Sequence, residues 1–105
     1  MTKNHNRIEE GELYFEFIRL YILHRASIEP IFTPVMVEKL YGHGWKLSTG
    51  SVSQLLVAMQ RKGYIEPAWR TGGSQPQKTY RTTRQGRAVL KRAGESIRAL
   101  FAKLV

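Results

Sequence analysis

The chain has 105 residues, of which 42% are hydrophobic and 24% charged, the size and composition of one globular domain. It contains no cysteine and no aspartate, which excludes disulfides, thiolate metal sites and Ser-His-Asp triads. No apolar stretch approaches the roughly 20 residues of a membrane-spanning helix, and the polar first residues are unlike a signal peptide. We therefore expect a cytoplasmic protein.

The formal net charge of +9 is concentrated in the second part of the chain. Residues 1–60 contain six basic and six acidic residues, whereas residues 61–105 contain eleven basic and two acidic ones. Such a one-sided surplus is typical of a protein that binds a polyanion, most often nucleic acid. An anionic membrane is the other polyanion, but the required basic helix with a bulky apolar face is only partly present. A solvated basic surface without a partner is the remaining explanation.

Apolar spacing predicts a flexible tail over residues 1–8 and a first helix from Glu9 to Arg25. The apolar stripe of this helix is too wide to be buried on one side only; it comprises Leu13, Phe17, Leu20 and Tyr21, widened by Tyr14, Ile18 and Ile22. A second helix is expected from Pro34 to Tyr41, with Thr33 as its N-cap. Its inward residues are Val37 and Leu40.

A third helix is predicted from Gly50 to Lys62. Ser48 or Thr49 caps its start, and Gly63 ends it in the left-handed conformation. The spacing of its apolar residues places one set on the buried face, namely Val52, Leu55, Leu56 and Met59. The opposite face carries Gly50, Gln54, Val57, Ala58 and Arg61.

Two β-type segments, 64–70 and 77–82, flank the pair Gly72-Gly73 and predict a hairpin. Pro67 suits an edge strand because proline cannot donate to the ladder. Thr83 is expected to cap a last helix, whose apolar stripe exceeds what a small domain needs to cover. We therefore expect this helix to form a homodimer interface through Val89, Ala93, Ile97, Leu100, Phe101 and Leu104.

Three helices followed by a basic hairpin predict a mainly α fold with a small β-hairpin. It comprises a winged helix-turn-helix domain over residues 9–83 and a C-terminal dimerisation helix over residues 84–105. A recognition helix enters the major groove of DNA N-terminus first, and the hairpin lies along the backbone or reaches a minor groove. The predicted DNA-binding residues are Ser48, Thr49, Gly50, Ser51, Ser53, Gln54 and Arg61 on the third helix, and Arg70, Lys78 and Arg81 on the hairpin.

Several residues with distinctive chemistry have simpler explanations. The three histidines lie far apart in the sequence without partners at ligand spacing, so we predict no metal site and no cofactor. Trp45 and Trp69 are expected to pack in the core or at its edge rather than to line a ligand pocket. Tyr80 is expected to hold the hairpin to the domain rather than to stack on a base. No set of residues resembles a catalytic site, so we do not expect an enzyme.

A distinctive run of residues covers the predicted third helix: Leu47-Ser48-Thr49-Gly50-Ser51-Val52, then Leu56, Met59, Gly63, Ile65 and Glu66. A second run covers the hairpin and the start of the last helix: Trp69, Gly72-Gly73, Lys78, Tyr80, Thr83 and Gly86-Arg87. Together they resemble the recognition helix and wing of the PadR family of bacterial transcriptional regulators, which are mostly repressors. The resemblance extends from Ile18 to Leu90. It implies a homodimer, with the C-terminal helix in the interface, that binds a near-palindromic operator.

The sequence departs from the family pattern at three places. The family usually has Pro at the position of Thr49 and Tyr at that of Ser53. It also has a Gly-Tyr pair where this chain has Thr33-Pro34. These changes leave the fold in place, but the base contacts and the operator of relatives do not carry over. Some members respond to small aromatic or drug-like ligands at the dimer interface, and we do not carry that effector over to this chain.

We therefore predict a sequence-specific transcriptional regulator that binds double-stranded DNA as a homodimer and acts as a repressor. One alternative is a non-specific or architectural DNA-binding protein, including one similar to a replication terminator. Another alternative is a winged-helix module that binds only protein, because the same order of elements occurs in such modules.

Overall fold

The computed structural model describes the backbone of residues 2–104 and the side chains of residues 14–104. This part of the chain forms four helices and three strands. The three strands make one antiparallel sheet in the order β1-β3-β2. The predicted fold class, mainly helical with a small β wing, is confirmed. The elements in chain order are α1 (Thr2–Ile28), β1 (Ile31–Phe32), α2 (Thr33–Gly42), α3 (Thr49–Arg61), β2 (Ile65–Arg70), β3 (Gln77–Thr82) and α4 (Arg84–Leu104).

One hydrophobic core joins the first three helices to the sheet. The four residues predicted to be buried on α3 are all buried, and Val52 and Leu56 are completely excluded from solvent. Full burial of such a side chain stabilises the fold by about 1.5–3 kcal/mol, so this face anchors α3 firmly. The other core residues are Ile18, Ile22, Leu23, Ala26, Ile31, Met36, Leu40, Ile65 and Tyr80.

The first two helices start at residues other than those predicted. α1 begins at Thr2 instead of Glu9, because apolar periodicity marks the buried part of a helix and not its end. Helical backbone therefore covers most of the predicted tail. The prediction that Thr33 is the N-cap of α2 is wrong. The N-cap is Phe32, which has φ −105° and ψ 131° and makes no side-chain capping hydrogen bond. Pairing of Phe32 in the sheet already supplies the extended backbone that an N-cap needs.

The buried face of α1 also differs from the prediction. Ile18 and Ile22 are buried, whereas Tyr14 and Phe17 are exposed. The sequence contains two overlapping apolar stripes, and the packing of α1 against β3 and α4 selects the one that includes Ile18 and Ile22. The side chain of Leu13 lies outside the described residues. The exposed aromatic residues leave this end of α1 with apolar surface that its own domain does not cover.

The sheet has one strand more than the predicted hairpin. β1 pairs with β3 through Ile31–Tyr80 and Phe32–Thr79, and a strand of two residues is too short to show an alternating pattern. The predicted hairpin itself is present as β2 and β3. β2 lies at the edge of the sheet, as Pro67 requires. In the turn, Gly72 has φ +124°, a conformation that favours glycine.

Candidate nucleic-acid interface

The start of α3 is held by two serines. The Ser48 hydroxyl accepts a hydrogen bond from the Ser51 backbone N–H at 3.1 Å and donates to the Ser51 Oγ at 3.0 Å. Of the two predicted caps, Ser48 is therefore the one used. The Ser48 side chain is therefore engaged in capping α3. The next two residues, Thr49 and Gly50, begin the helix and are exposed to solvent.

A single stripe runs along the side of α3 opposite the core. Successive helical residues are turned by about 100°, so Gly50, Gln54, Val57 and Arg61 lie on one line, and all four are exposed. This line brings together three of the predicted DNA-binding residues. It also includes Val57, which the sequence placed on the outward face but not among the DNA contacts.

The remaining predicted residues of α3 lie beside this stripe. At about 100° per residue, Thr49 and Ser53 fall on one flank of the helix, and Ser51 falls on the other. Ser51 and Ser53 are half-buried, whereas Thr49 is exposed. The predicted DNA-binding residues of α3 therefore do not form one surface: a central line and two flanks point in different directions.

The end of α3 is fixed to the start of α4. Gly63 has φ +80° and ends α3 in the left-handed conformation, as predicted. The backbone N–H of Thr83 donates to the Tyr64 carbonyl at 3.0 Å, and the Thr83 hydroxyl donates to the Gly63 carbonyl at 2.6 Å. The Thr83 hydroxyl also accepts from the Gly86 N–H at 3.0 Å, which confirms Thr83 as the cap of α4. The start of α4 is thereby tied to Gly63 and Tyr64, which follow the end of α3.

The wing, formed by β2 and β3, does not present its three predicted cations together. Residues paired across an antiparallel sheet share a face, and alternate residues along a strand point to the same side. The pairs Glu66–Arg81 and Arg70–Gln77 therefore place Arg70 and Arg81 on one face. Lys78 is on the opposite face, where its Nζ lies 5.3 Å from the centre of the Tyr80 ring.

Arg81 is oriented by the carboxylate opposite it. Its Nε donates to the Glu66 Oε1 at 2.9 Å, and both side chains are largely exposed. An exposed ion pair of this kind contributes only about 0–1 kcal/mol to stability. Its effect is on geometry: the bond uses Nε, and a guanidinium has four further N–H donors on its two terminal nitrogens for another acceptor.

Basic side chains after Gln60 dominate the surface of this half. Among the described residues they form a single ion pair with a described carboxylate, the one between Arg81 and Glu66. The exposed set includes Arg61, Lys62, Arg70, Lys78, Arg84 and Arg87. The described carboxylates therefore neutralise little of this positive charge, which favours binding of a polyanion.

The aromatic residues divide between packing and exposure. Tyr80 is buried, as expected. Trp45 is half-buried and packs against Tyr21 and His43, with ring centres 6.2 and 5.9 Å apart. The prediction that Trp69 packs in the core or at its edge is wrong, because this residue is 63% exposed. The outer end of the hairpin, which carries it, extends beyond the core.

Among the described residues, neither a cluster of metal-ligating side chains nor a membrane-spanning helix is found. In that part of the chain, no group of three or more histidine or acidic residues is placed to hold a metal ion. Likewise, no described helix combines the length and the apolar character needed to cross a bilayer.

A helix anchored on one face, capped at its tip and followed by a basic antiparallel wing defines a winged helix-turn-helix protein of the DNA-binding class. The family is shown by a direct match: residues 22–92 fit the model of the transcriptional regulator PadR-like family. The chain belongs to this family. Members of the family are transcriptional regulators that bind DNA, and this chain is one of them.

Relatives and solved structures agree with this assignment. The chain is 29% identical over 73 residues to the transcriptional regulator Rv3488 of Mycobacterium tuberculosis. The matched stretch covers 70% of this chain and 68% of the relative. A PadR-like regulator of Bacillus cereus has a TM-score of 0.79 at 24% identity, covering 89% of this chain and 92% of the other. A PadR family regulator of Eggerthella lenta has a TM-score of 0.74 at 24% identity, covering 99% and 94%. At these identities the structures establish the shared fold.

Proposed function

We propose that this PadR-like protein is a sequence-specific repressor that binds a near-palindromic operator as a homodimer. In this proposal α3 enters the major groove N-terminus first, and the wing lies on the flanking backbone or minor groove. The observation that carries the proposal is the exposed stripe of α3, which stands opposite its buried face. A solvent-facing stripe is common on surface helices; what favours DNA contact here is that the basic wing follows α3 directly.

The stripe contains the chemistry needed to read bases. Gly50 has no side chain, so it allows the backbone to approach the bases closely. Gln54 carries both a donor and an acceptor, the pair that recognises the N6 and N7 atoms of adenine. Arg61, nearly two turns further along, supplies a cation for a phosphate or for a guanine.

The wing supplies contacts that do not depend on sequence. Arg70 and Arg81 share one face of the sheet, and the Glu66 carboxylate orients the Arg81 guanidinium. We propose that this face lies against the phosphate backbone. The two arginines stand four residue positions apart along the sheet, about 13 Å, so they bind separate phosphates that are not neighbours. Lys78, on the other face, contacts a different strand or none.

The second half of α4 supports a homodimer. Leu100, Phe101 and Leu104 are 61%, 55% and 75% exposed, whereas Val89 and Leu90 pack on the core of their own domain. A two-fold dimer through this surface would present two copies of α3, which read half-sites about 34 Å apart on one side of the duplex. This function places the protein in the cytoplasm beside the chromosome.

Selection of bound duplexes from a random pool, followed by fluorescence anisotropy at two salt concentrations, tests the proposal. We expect the selected duplex to bind at least about a thousandfold more tightly than random duplex. Binding should weaken steeply as salt rises, because each contacted phosphate releases counterions. Tight binding without sequence preference would favour an architectural protein. No binding at low salt, together with a stable protein partner, would favour a protein-binding module.

Two substitutions separate base reading from backbone binding. Gln54→Ala should lower affinity for the selected duplex by about 5- to 150-fold, with little effect on random duplex, because it removes a bidentate base contact. Arg81→Ala should weaken binding to all duplexes alike and reduce the salt dependence by about one counterion per subunit. Gln60→Ala, on α3 but off the outward stripe, is the control. Equal losses on selected and random duplex for Gln54→Ala would contradict the base contact.

A further inference from the structure

Val57 stands out on the surface of α3. It is 41% exposed and is absent from the apolar residues that pack on the core. At about 100° per residue, it lies roughly 150° around the helix from the centre of the buried face. Its neighbours on the outward stripe are Gln54 and Arg61. Helix propensity does not account for it either, because a β-branched residue is less favourable in an exposed helix than alanine.

We infer that Val57 contacts the 5-methyl group of a thymine in the major groove; this inference rests on the proposed DNA-binding function. The thymine methyl is the apolar group among the base edges exposed in the major groove of B-DNA. Valine has a stiff χ1 angle in a helix, so it presents its two methyl groups at little cost in conformational entropy. Burying methyl against methyl removes apolar surface from water.

Gln54 and Val57 lie within one turn of α3, about 4.5 Å apart along its axis and about 60° apart around it. Two side chains this close reach base pairs that are near each other. A glutamine that binds adenine and a valine that contacts a thymine methyl group together favour A·T pairs at these positions.

Exposure alone does not support this role. Val35 on α2 is 45% exposed, and single apolar residues on a surface are common. The difference lies in the helix that carries each residue. Val57 stands on the outward stripe of α3, which the proposed function puts in the major groove, whereas Val35 stands on α2 beside the exposed Glu38 and Lys39. A lone valine between polar residues is also too small a patch to bind a partner protein. Val35 therefore serves as the matched control.

The test replaces the thymines of the selected duplex by deoxyuridine, one position in one half-site at a time, which removes a single 5-methyl group. Affinity is measured by fluorescence anisotropy for the wild type, Val57→Ala and Val35→Ala. We expect one thymine per half-site at which deoxyuridine weakens the wild type about fourfold, the effect of one buried methyl group. Val35→Ala should keep this sensitivity, and Val57→Ala should lose it. Thermal unfolding of both variants at or slightly above the wild-type temperature verifies that the fold is unchanged, because alanine is the better helix former.

The outcomes distinguish this inference from the function on which it rests. If selection yields no preferred sequence, the proposed sequence-specific function is wrong, and the contact fails with it. If a preferred sequence exists but deoxyuridine weakens the wild type and Val57→Ala equally at every position, only the thymine contact is wrong. If no deoxyuridine weakens binding of the wild type, the thymine contact is likewise wrong, and the sequence-specific function still stands. A loss of sensitivity confined to Val57→Ala would establish the contact, since the coupling between two groups measures their direct interaction.

Discussion

The two halves of α4 carry the same apolar periodicity but have different surroundings. In the first half Gly86 is buried, and Val89 and Leu90 pack on the core. In the second half the large apolar side chains Leu100 and Phe101 are mostly exposed. The comparison teaches that an amphipathic stripe indicates a face to be covered without indicating what covers it.

The difference between the halves has a geometric cause. Thr83 and the Tyr64 carbonyl fix the start of α4 on the end of α3, so the first turns must pack on the domain. A helix of 21 residues is about 31 Å long, and its last turns extend past the surface that the domain offers. We therefore expect the first half to control folding and the second half to control assembly.

The largest expected effect is on assembly. Phe101→Glu places a charge in the proposed interface, so the dimer should dissociate and operator affinity should fall about a hundredfold or more, because the two half-sites are no longer bound together. Light scattering coupled to size-exclusion chromatography measures the oligomeric state, and anisotropy measures the affinity. Ala102→Glu, with the same charge change on the far side of α4, should remain dimeric. A dimeric Phe101→Glu variant would contradict the proposed interface.

The next effect concerns the packing of the first half. A Cβ at Gly86 would collide with the carbonyl oxygen of Tyr64, whereas nothing lies within 4 Å of a Cβ at Gly94. Gly86→Ala should therefore lower the free energy of unfolding by about 1–3 kcal/mol. Gly94→Ala should raise it by about 0.5–1 kcal/mol, because alanine is the better helix former.

Denaturant unfolding of both glycine variants should be measured in the Phe101→Glu background, so that dimerisation does not contribute to the stability. Opposite signs for the two changes would support the division of α4 into a packed and an unpacked half. Equal effects at Gly86 and Gly94 would show that the start of α4 shifts without cost, and the close packing on Tyr64 would then be unimportant.

The smallest effect concerns the cap of α4. Thr83→Ala removes the hydroxyl that bonds the Gly86 N–H and the Gly63 carbonyl, so the free energy of unfolding should fall by about 1 kcal/mol. Thr83→Ser keeps the hydroxyl and should retain most of the stability. Denaturant unfolding of the two variants side by side checks this, and equal losses would assign the effect to the lost methyl group instead of the cap.

Local rules explain which features of the fold were predictable from sequence. The Ser48 cap, the Gly63 termination and the four buried residues of α3 all follow from patterns within one or two turns of the helix. β1 was not predicted, because a strand of two residues is too short to show alternating apolar and polar residues. The predicted N-cap of α2 failed because Phe32 is held in the sheet by residues almost fifty positions later, which no local pattern reports.

The candidate site was predictable only in part, for the same reason. The outward line of α3 follows from helical periodicity, and it contains Gln54 and Arg61 as expected. In the wing, alternation along β3 already puts Lys78 and Arg81 on opposite faces, but only the register between β2 and β3 shows that Arg70 shares the face of Arg81. The DNA contacts of individual residues, including the missed Val57, stay predictions.

The sequence by itself determined the family, the order of the four helices and the hairpin, the concentration of positive charge after Gln60 and the buried face of α3. These depend on residue type and short-range spacing. Only the tertiary structure decided which stripe of α1 is buried, which cations of the wing share a face and where the coverage of α4 ends. Those outcomes depend on contacts between elements far apart in the chain, because burial is a property of the packed surfaces and not of any single segment.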